Sequence, residues 1–110
     1  MTRVLMGDFA ALHRLGLRDI MRDARVELIE ANGSEVVGRL VEALPDVVVL
    51  DMDKTETPVV VDRIVHDFPA VKVVSCSSAM PTMRIFPPFH RGESYTSELD
   101  LARFNSAIQA

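Results

Sequence analysis

The stretch that most narrows what this chain can become is Val47-Val48-Val49-Leu50-Asp51, an apolar run ended by a carboxylate. Bounded by Pro45 and Asp51, it is too short for a helix of ordinary length and reads as a buried strand. A carboxylate at the C-terminal end of such a strand stands where open α/β sheets build their sites, in the crevice beyond the strand ends.

The flanking segments repeat one alternation. Val4-Leu5-Met6 is a short apolar run closed by Gly7-Asp8 and predicts a first strand. Leu17, Ile20, Met21 and Ala24 then recur at helical spacing, opposed by Arg14, Arg18, Arg22 and Asp23. Val26, Glu27 and Leu28 alternate as a second strand, and Asn32-Gly33 supplies turn chemistry. Ser34 is placed to cap a helix whose Val36, Val37, Leu40, Val41 and Leu44 form one stripe before Pro45 stops it.

After Asp51, Thr57 is the expected cap and Pro58 the first residue of a third helix carrying Val61, Ile64, Val65 and Phe68. Val71 to Cys76 reads as a fourth strand. Ser97 with Asp100 fits a capping box for a last helix bearing Leu101, Phe104 and Ile108. Three β-then-α units in succession favour a parallel sheet with helices on both faces, because each parallel crossover needs an intervening element. Residues 78–96 break the pattern. Pro81, Pro87 and Pro88 forbid a continuous helix there, and Met83 to Phe86 has room only for a brief edge strand.

At 110 residues, with 48% apolar and 25% charged side chains, the chain is expected to form one domain spanning 1–110. A net charge of −4 without a cluster of Lys or Arg argues against a nucleic-acid surface. No apolar stretch is long enough to span a bilayer, and Gly7-Asp8 interrupts the N-terminal run before it could read as a secretory signal. Cys76 stands alone, so no intramolecular disulfide is expected, and a reducing, cytoplasmic setting fits. His13, His66, His90 and Cys76 show no metal-ligand spacing, and no metal or cofactor is expected. The run Ser75-Cys76-Ser77-Ser78 has no base beside it in any recognisable motif, so Cys76 is read as a small buried hydrophobe and the chain as a non-enzyme.

With this order of elements, residues 3 to about 77 resemble a response-regulator receiver domain. The resemblance is carried by Arg14-Leu15-Gly16-Leu17-Arg18, Ala31-Asn32-Gly33-Ser34-Glu35, Pro45-Asp46-Val47-Val48-Val49-Leu50-Asp51 and Phe68-Pro69-Ala70-Val71-Lys72-Val73-Val74. It implies a flavodoxin-like, doubly wound parallel sheet in which a Pro-rich loop replaces the fourth helix. It also implies that Asp51 is the phosphoacceptor equivalent, Ser77 the hydroxyl switch position and Asp8 the first of an acidic pair, with Asp53 adding charge to the same acidic pocket. The chain departs from that pattern where charge is handled. Phe9 stands where the second acid belongs, no lysine follows Lys72, and Lys54 to Pro58 lacks the usual Pro-Gly turn. Phosphoryl transfer needs spreading negative charge neutralised by Mg²⁺ and a cation. An aromatic ring offers magnesium no oxygen, so Mg²⁺ is not expected here.

The expectation is therefore a stand-alone pseudo-receiver acting by protein–protein contact, independently of phosphorylation, with self-association compatible and no nucleic-acid or membrane partner. Its candidate interaction loop is Arg84, Phe86, Phe89, His90 and Arg91, since aromatics and Arg are enriched at interface hot spots. The rival expectations are phosphorylation of Asp51 and small-molecule sensing in the crevice around Asp8, Asp51 and Ser77.

Overall fold

A computed structural model describes residues 2–7, 9, 11–23, 25–31, 35–77, 79–89 and 94–109. Its elements run β1 (Thr2–Met6), α1 (Ala11–Asp23), β2 (Val26–Glu30), α2 (Glu35–Ala43), β3 (Val47–Asp51), α3 (Thr57–Asp67), β4 (Lys72–Cys76), β5 (Thr82–Phe86), β6 (Tyr95–Glu98) and α4 (Leu101–Ala107). The strands form a single sheet in the order β2-β1-β3-β4-β5-β6.

β1, β2, β3 and β4 pair in parallel, with Leu5 opposite Ile29 on one side and Val48 on the other. Successive side chains of a strand face opposite ways, so the apolar run of β3 divides between two cores. Val47 and Val49 join Val4, Met6, Val74 and Cys76 beneath Leu17 and Met21 of α1 and Phe104 and Ile108 of the last helical segment. Val48 and Leu50 join Leu5 and Val73 beneath Val36 and Leu40 of α2 and Val61 and Ile64 of α3. Every residue of β3 is buried. This burial on both faces explains why its sequence shows no polar alternation.

The sheet corrects the expected fold class. It is mixed rather than doubly wound and wholly parallel, because β5 runs antiparallel to β4 and β6 antiparallel to β5. The reason is the length of residues 77–81, which alone link β4 to β5. A parallel return needs a crossover of a dozen or more residues, and this link is far shorter. The chain must therefore turn straight back: the order β2-β1-β3-β4-β5 is kept, but β5 is reversed, so the all-parallel flavodoxin-like sheet expected from the receiver resemblance does not form. The Pro-rich region does not replace a helix as a structureless loop. Its prolines flank β5, which is an inner strand rather than the expected edge, and β6 takes the edge.

Two caps also differ from expectation. Glu56 precedes α3 without a side-chain cap, and Thr57 and Pro58 are its first residues. Asp100 alone caps α4, its carboxylate accepting from the Arg103 amide at 2.8 Å, while Ser97 lies in β6. That bond, then the Arg103 charge, holds the Asp100 carboxyl below the usual carboxylate range. Ser34, expected to cap α2, lies outside the described residues.

Candidate functional site

Asp51 ends β3 and Ser77 follows directly on the neighbouring parallel strand β4, and the register that sets Asp51 beside Cys76 brings the following loops together. The ladder continues one step further, with the Met52 amide donating to the Cys76 carbonyl at 2.8 Å. Beyond it the chain must turn, and Asp51 organises that turn. Its Oδ1 accepts from the Asp53 amide at 2.9 Å, an Asx-type turn, and its carbonyl accepts from the Thr57 hydroxyl at 2.5 Å. The buried Thr57 side chain thus ties the start of α3 to the end of β3, a role different from the cap its sequence position suggests.

The Asp51 turn aims Asp53 across to the β4–β5 link. Asp53 Oδ1 accepts from the Ser77 hydroxyl at 2.8 Å, and its Oδ2 accepts from the Ala79 amide at 3.3 Å. Ser77 Oγ in turn accepts from the Met80 amide at 3.1 Å. The result is a relay from the Met80 N–H through the Ser77 hydroxyl to a carboxylate, in which each bond polarises the next. The Ser77 backbone amide is also committed, donating to the Thr82 carbonyl at 2.9 Å.

The structure thus brings together Asp51, Asp53 and Ser77, but gives Ser77 to Asp53 and not to Asp51. Asp8, the remaining member of the expected acidic pocket, lies outside the described residues, as do His90 and Arg91. Gly7, just before it, is tightly enclosed. A Cβ there would meet the Leu50 side chain at 2.8 Å, so only glycine lets β1 exit beside β3 without displacing Leu50. Among the described residues no three His, Cys, Asp or Glu side chains group as metal ligands.

Cys76 is fully buried in the α1/α4 core. Burial first, and the neighbouring Asp51 carboxylate second, push its thiol up to about 12. A thiol held protonated this strongly is a poor nucleophile at neutral pH. Lys72 sits at the other end of β4, where its ammonium donates to the Ala107 and Gln109 carbonyls at 2.9 and 3.0 Å. It closes the end of α4, and desolvation holds its pKa below the ordinary lysine value. Its distance along β4 from Ser77 keeps that cation out of the Asp51 region.

The described part of the candidate loop splits its aromatics. Phe86 is half-buried against the α2/α3 core, with the Arg84 guanidinium 5.8 Å from its ring centroid. Arg84 also donates from Nε to the Ser94 hydroxyl at 2.8 Å. Phe89 is 69% exposed, in the left-handed region at φ 62°, and its amide donates to the Pro69 carbonyl at 2.7 Å. A bulky residue at positive φ is strained. The two rings therefore part, Phe86 packing inward and Phe89 facing outward.

No family model, curated protein or solved structure matches this chain. No helix among the described residues is long and apolar enough to cross a membrane. Sequence reasoning singled out the Asp51 region but missed Thr57 and Ala79 as parts of it. Thr57 shows no distinguishing signal, because a threonine before a proline fits a helix cap equally well.

Proposed function

We propose that the chain is a regulatory protein–protein interaction module, receiver-like in its β1–β4 half, that works without a phosphorylation step. The observation that carries this reading is the double bond-donor grip on Asp53, from the Ser77 hydroxyl and the Ala79 amide. In a receiver the hydroxyl at the Ser77 position contacts a phosphoryl oxygen. Here a fixed internal carboxylate already takes that hydrogen bond, and an incoming phosphoryl group on Asp51 would add charge beside it. The loop is held in one arrangement by its own sequence.

Output then passes through a surface. Phe89, exposed on a strained backbone, has the chemistry of an interface anchor. The partner is a protein or a second copy of the chain. A reducing, cytoplasmic compartment suits the single buried thiol.

The test is retention of proteins by the immobilised domain with and without acetyl phosphate and Mg²⁺. The expected result is one retained set, unchanged by acetyl phosphate or by Asp51→Asn and reduced by Phe86→Ala/Phe89→Ala. A set that changes with acetyl phosphate, and only while Asp51 is present, would overturn the proposal in favour of a phosphorylated switch.

A further inference from the structure

The tight β4–β5 link has a second consequence, on the α3 side of the sheet. No described helix follows β4 to cover β4 and β5 on this face, and a cavity of about 260 Å³ opens between α3 and the two strands. Met52, Pro58, Val61 and Phe86 make its walls apolar. Four polar side chains also line it: Thr57, Asp62, Ser75 and Arg84. The Thr57 hydroxyl is spent on the Asp51 carbonyl. Ser75, only 3% exposed, is the cross-strand neighbour of Arg84, so a buried hydroxyl and a guanidinium share one side of the cavity. Arg84 is held in place by Ser94 through Nε and by the Phe86 ring, which leaves the outer edge of its fork as the cationic feature of the wall.

We propose that this cavity binds a small monocarboxylate with a branched or aromatic apolar body. The carboxylate would pair with Arg84 and Ser75, and the apolar body would lie between Val61, Met52 and Phe86. Three features narrow the ligand class. The volume is below that of pockets for drug-sized ligands, so the occupant has few heavy atoms. The first turn of α3 forms one wall, and a helix N-terminus favours negative charge. Asp62 in the same lining would repel a second negative charge, which disfavours dicarboxylates and phosphate.

A larger cavity, about 350 Å³ under α4, also contains cations but has none to offer. Its Lys72 is bonded to two carbonyls, and its Arg103 to Glu98 and Asp100 at 2.7 and 2.8 Å.

The proposed site is distinct from the Asp51 crevice and stands independently of the phosphorylation question. It shares Met52 and Thr57 with the β3–α3 turn, so occupancy would stiffen that turn. The test is an amide chemical-shift titration with isovalerate, using its neutral amide and succinate as controls. Isovalerate is expected to give saturable shifts centred on Val61, Ser75, Arg84 and Phe86. The amide and succinate should bind at least about tenfold more weakly, and Arg84→Met should weaken isovalerate by about tenfold. Arg84 is exposed, so this variant keeps the core, and an unchanged thermal midpoint confirms it. Equal binding of the amide, indifference to Arg84→Met, shifts centred elsewhere or the lack of saturation would each overturn the proposal.

Discussion

The two halves of the sheet are built by different rules. In β1, β3 and β4 the strands are parallel, and their apolar residues divide between two cores, one under α1 and α4 and one under α2 and α3. In β5 and β6 they are antiparallel. β5 alternates Met83 and Ile85 inward against exposed Arg84, and β6 is largely exposed. The parallel half is a two-sided core, whereas the antiparallel half has one packed face and one open one. The candidate site sits on the seam, where Asp53 from the first half reaches the Ser77–Met80 link into the second. Both the fixed carboxylate and the α3-side cavity follow from a return too short to hold a helix.

The largest test of this contrast places a charge in each half. Val48→Asp buries an unpaired carboxylate beneath α2 and α3 and is expected to cost at least about 4 kcal/mol, enough to abolish the cooperative urea transition. Arg84→Asp on the open face of β5 should change stability by no more than about 1 kcal/mol. Comparable losses from the two would contradict the one-sided description of β5.

Phe104 is the largest fully buried side chain and packs in the core shared by α1, α4 and β5. Phe104→Ala is expected to cost about 3–5 kcal/mol by equilibrium unfolding. It should also speed hydrogen exchange in β5 more than in β1 if α4 is the helical cover of the antiparallel half.

Cys76 gives a pH test with a fixed sign. Its folded value of about 12 lies above the ordinary 9.0, so the unfolded chain releases the proton first as pH rises. Its contribution to stability is complete below pH 9 and is lost between 9 and 12, at a limiting slope of about 1.4 kcal/mol per pH unit for one proton. Denaturation midpoints of the wild type and Cys76→Ala should therefore converge as pH climbs through that window. Parallel curves would show that the thiol is not desolvated.

The smallest effect concerns the seam. Ser77→Ala removes the donor to Asp53 and the acceptor for Met80, and is expected to cost about 1–2 kcal/mol in chemical denaturation. An unchanged midpoint would mean that the relay contributes nothing to holding the halves together.

Much of the parallel half was legible in the sequence because its signals are local. Apolar runs, helical stripes and Pro45 each specify an element without reference to distant residues. The antiparallel half was not legible, because Tyr95-Thr96-Ser97-Glu98 has no apolar alternation and becomes a strand only by pairing with β5. The link at residues 77–81 carried the decisive information as a length, and the prolines around it pointed to an irregular loop instead. At the site, Asp51 was legible from its place at a strand end. The partnership of Ser77 with Asp53 was not, since it depends on the Asx turn that swings Asp53 across. The exposed Phe89 and half-buried Phe86 were legible as a pair but not in their division, which the bond from Phe89 to Pro69 determines.

Asp53 already takes the Ser77 hydroxyl, the hydrogen bond that the proposed reading denies to a phosphoryl group on Asp51. The decisive experiment is amide NMR of the wild type titrated with beryllofluoride and Mg²⁺. The Met52, Asp53, Ala79 and Met80 resonances are expected to stay where they are. Saturable shifts of those amides that vanish in Asp51→Asn would contradict that reading.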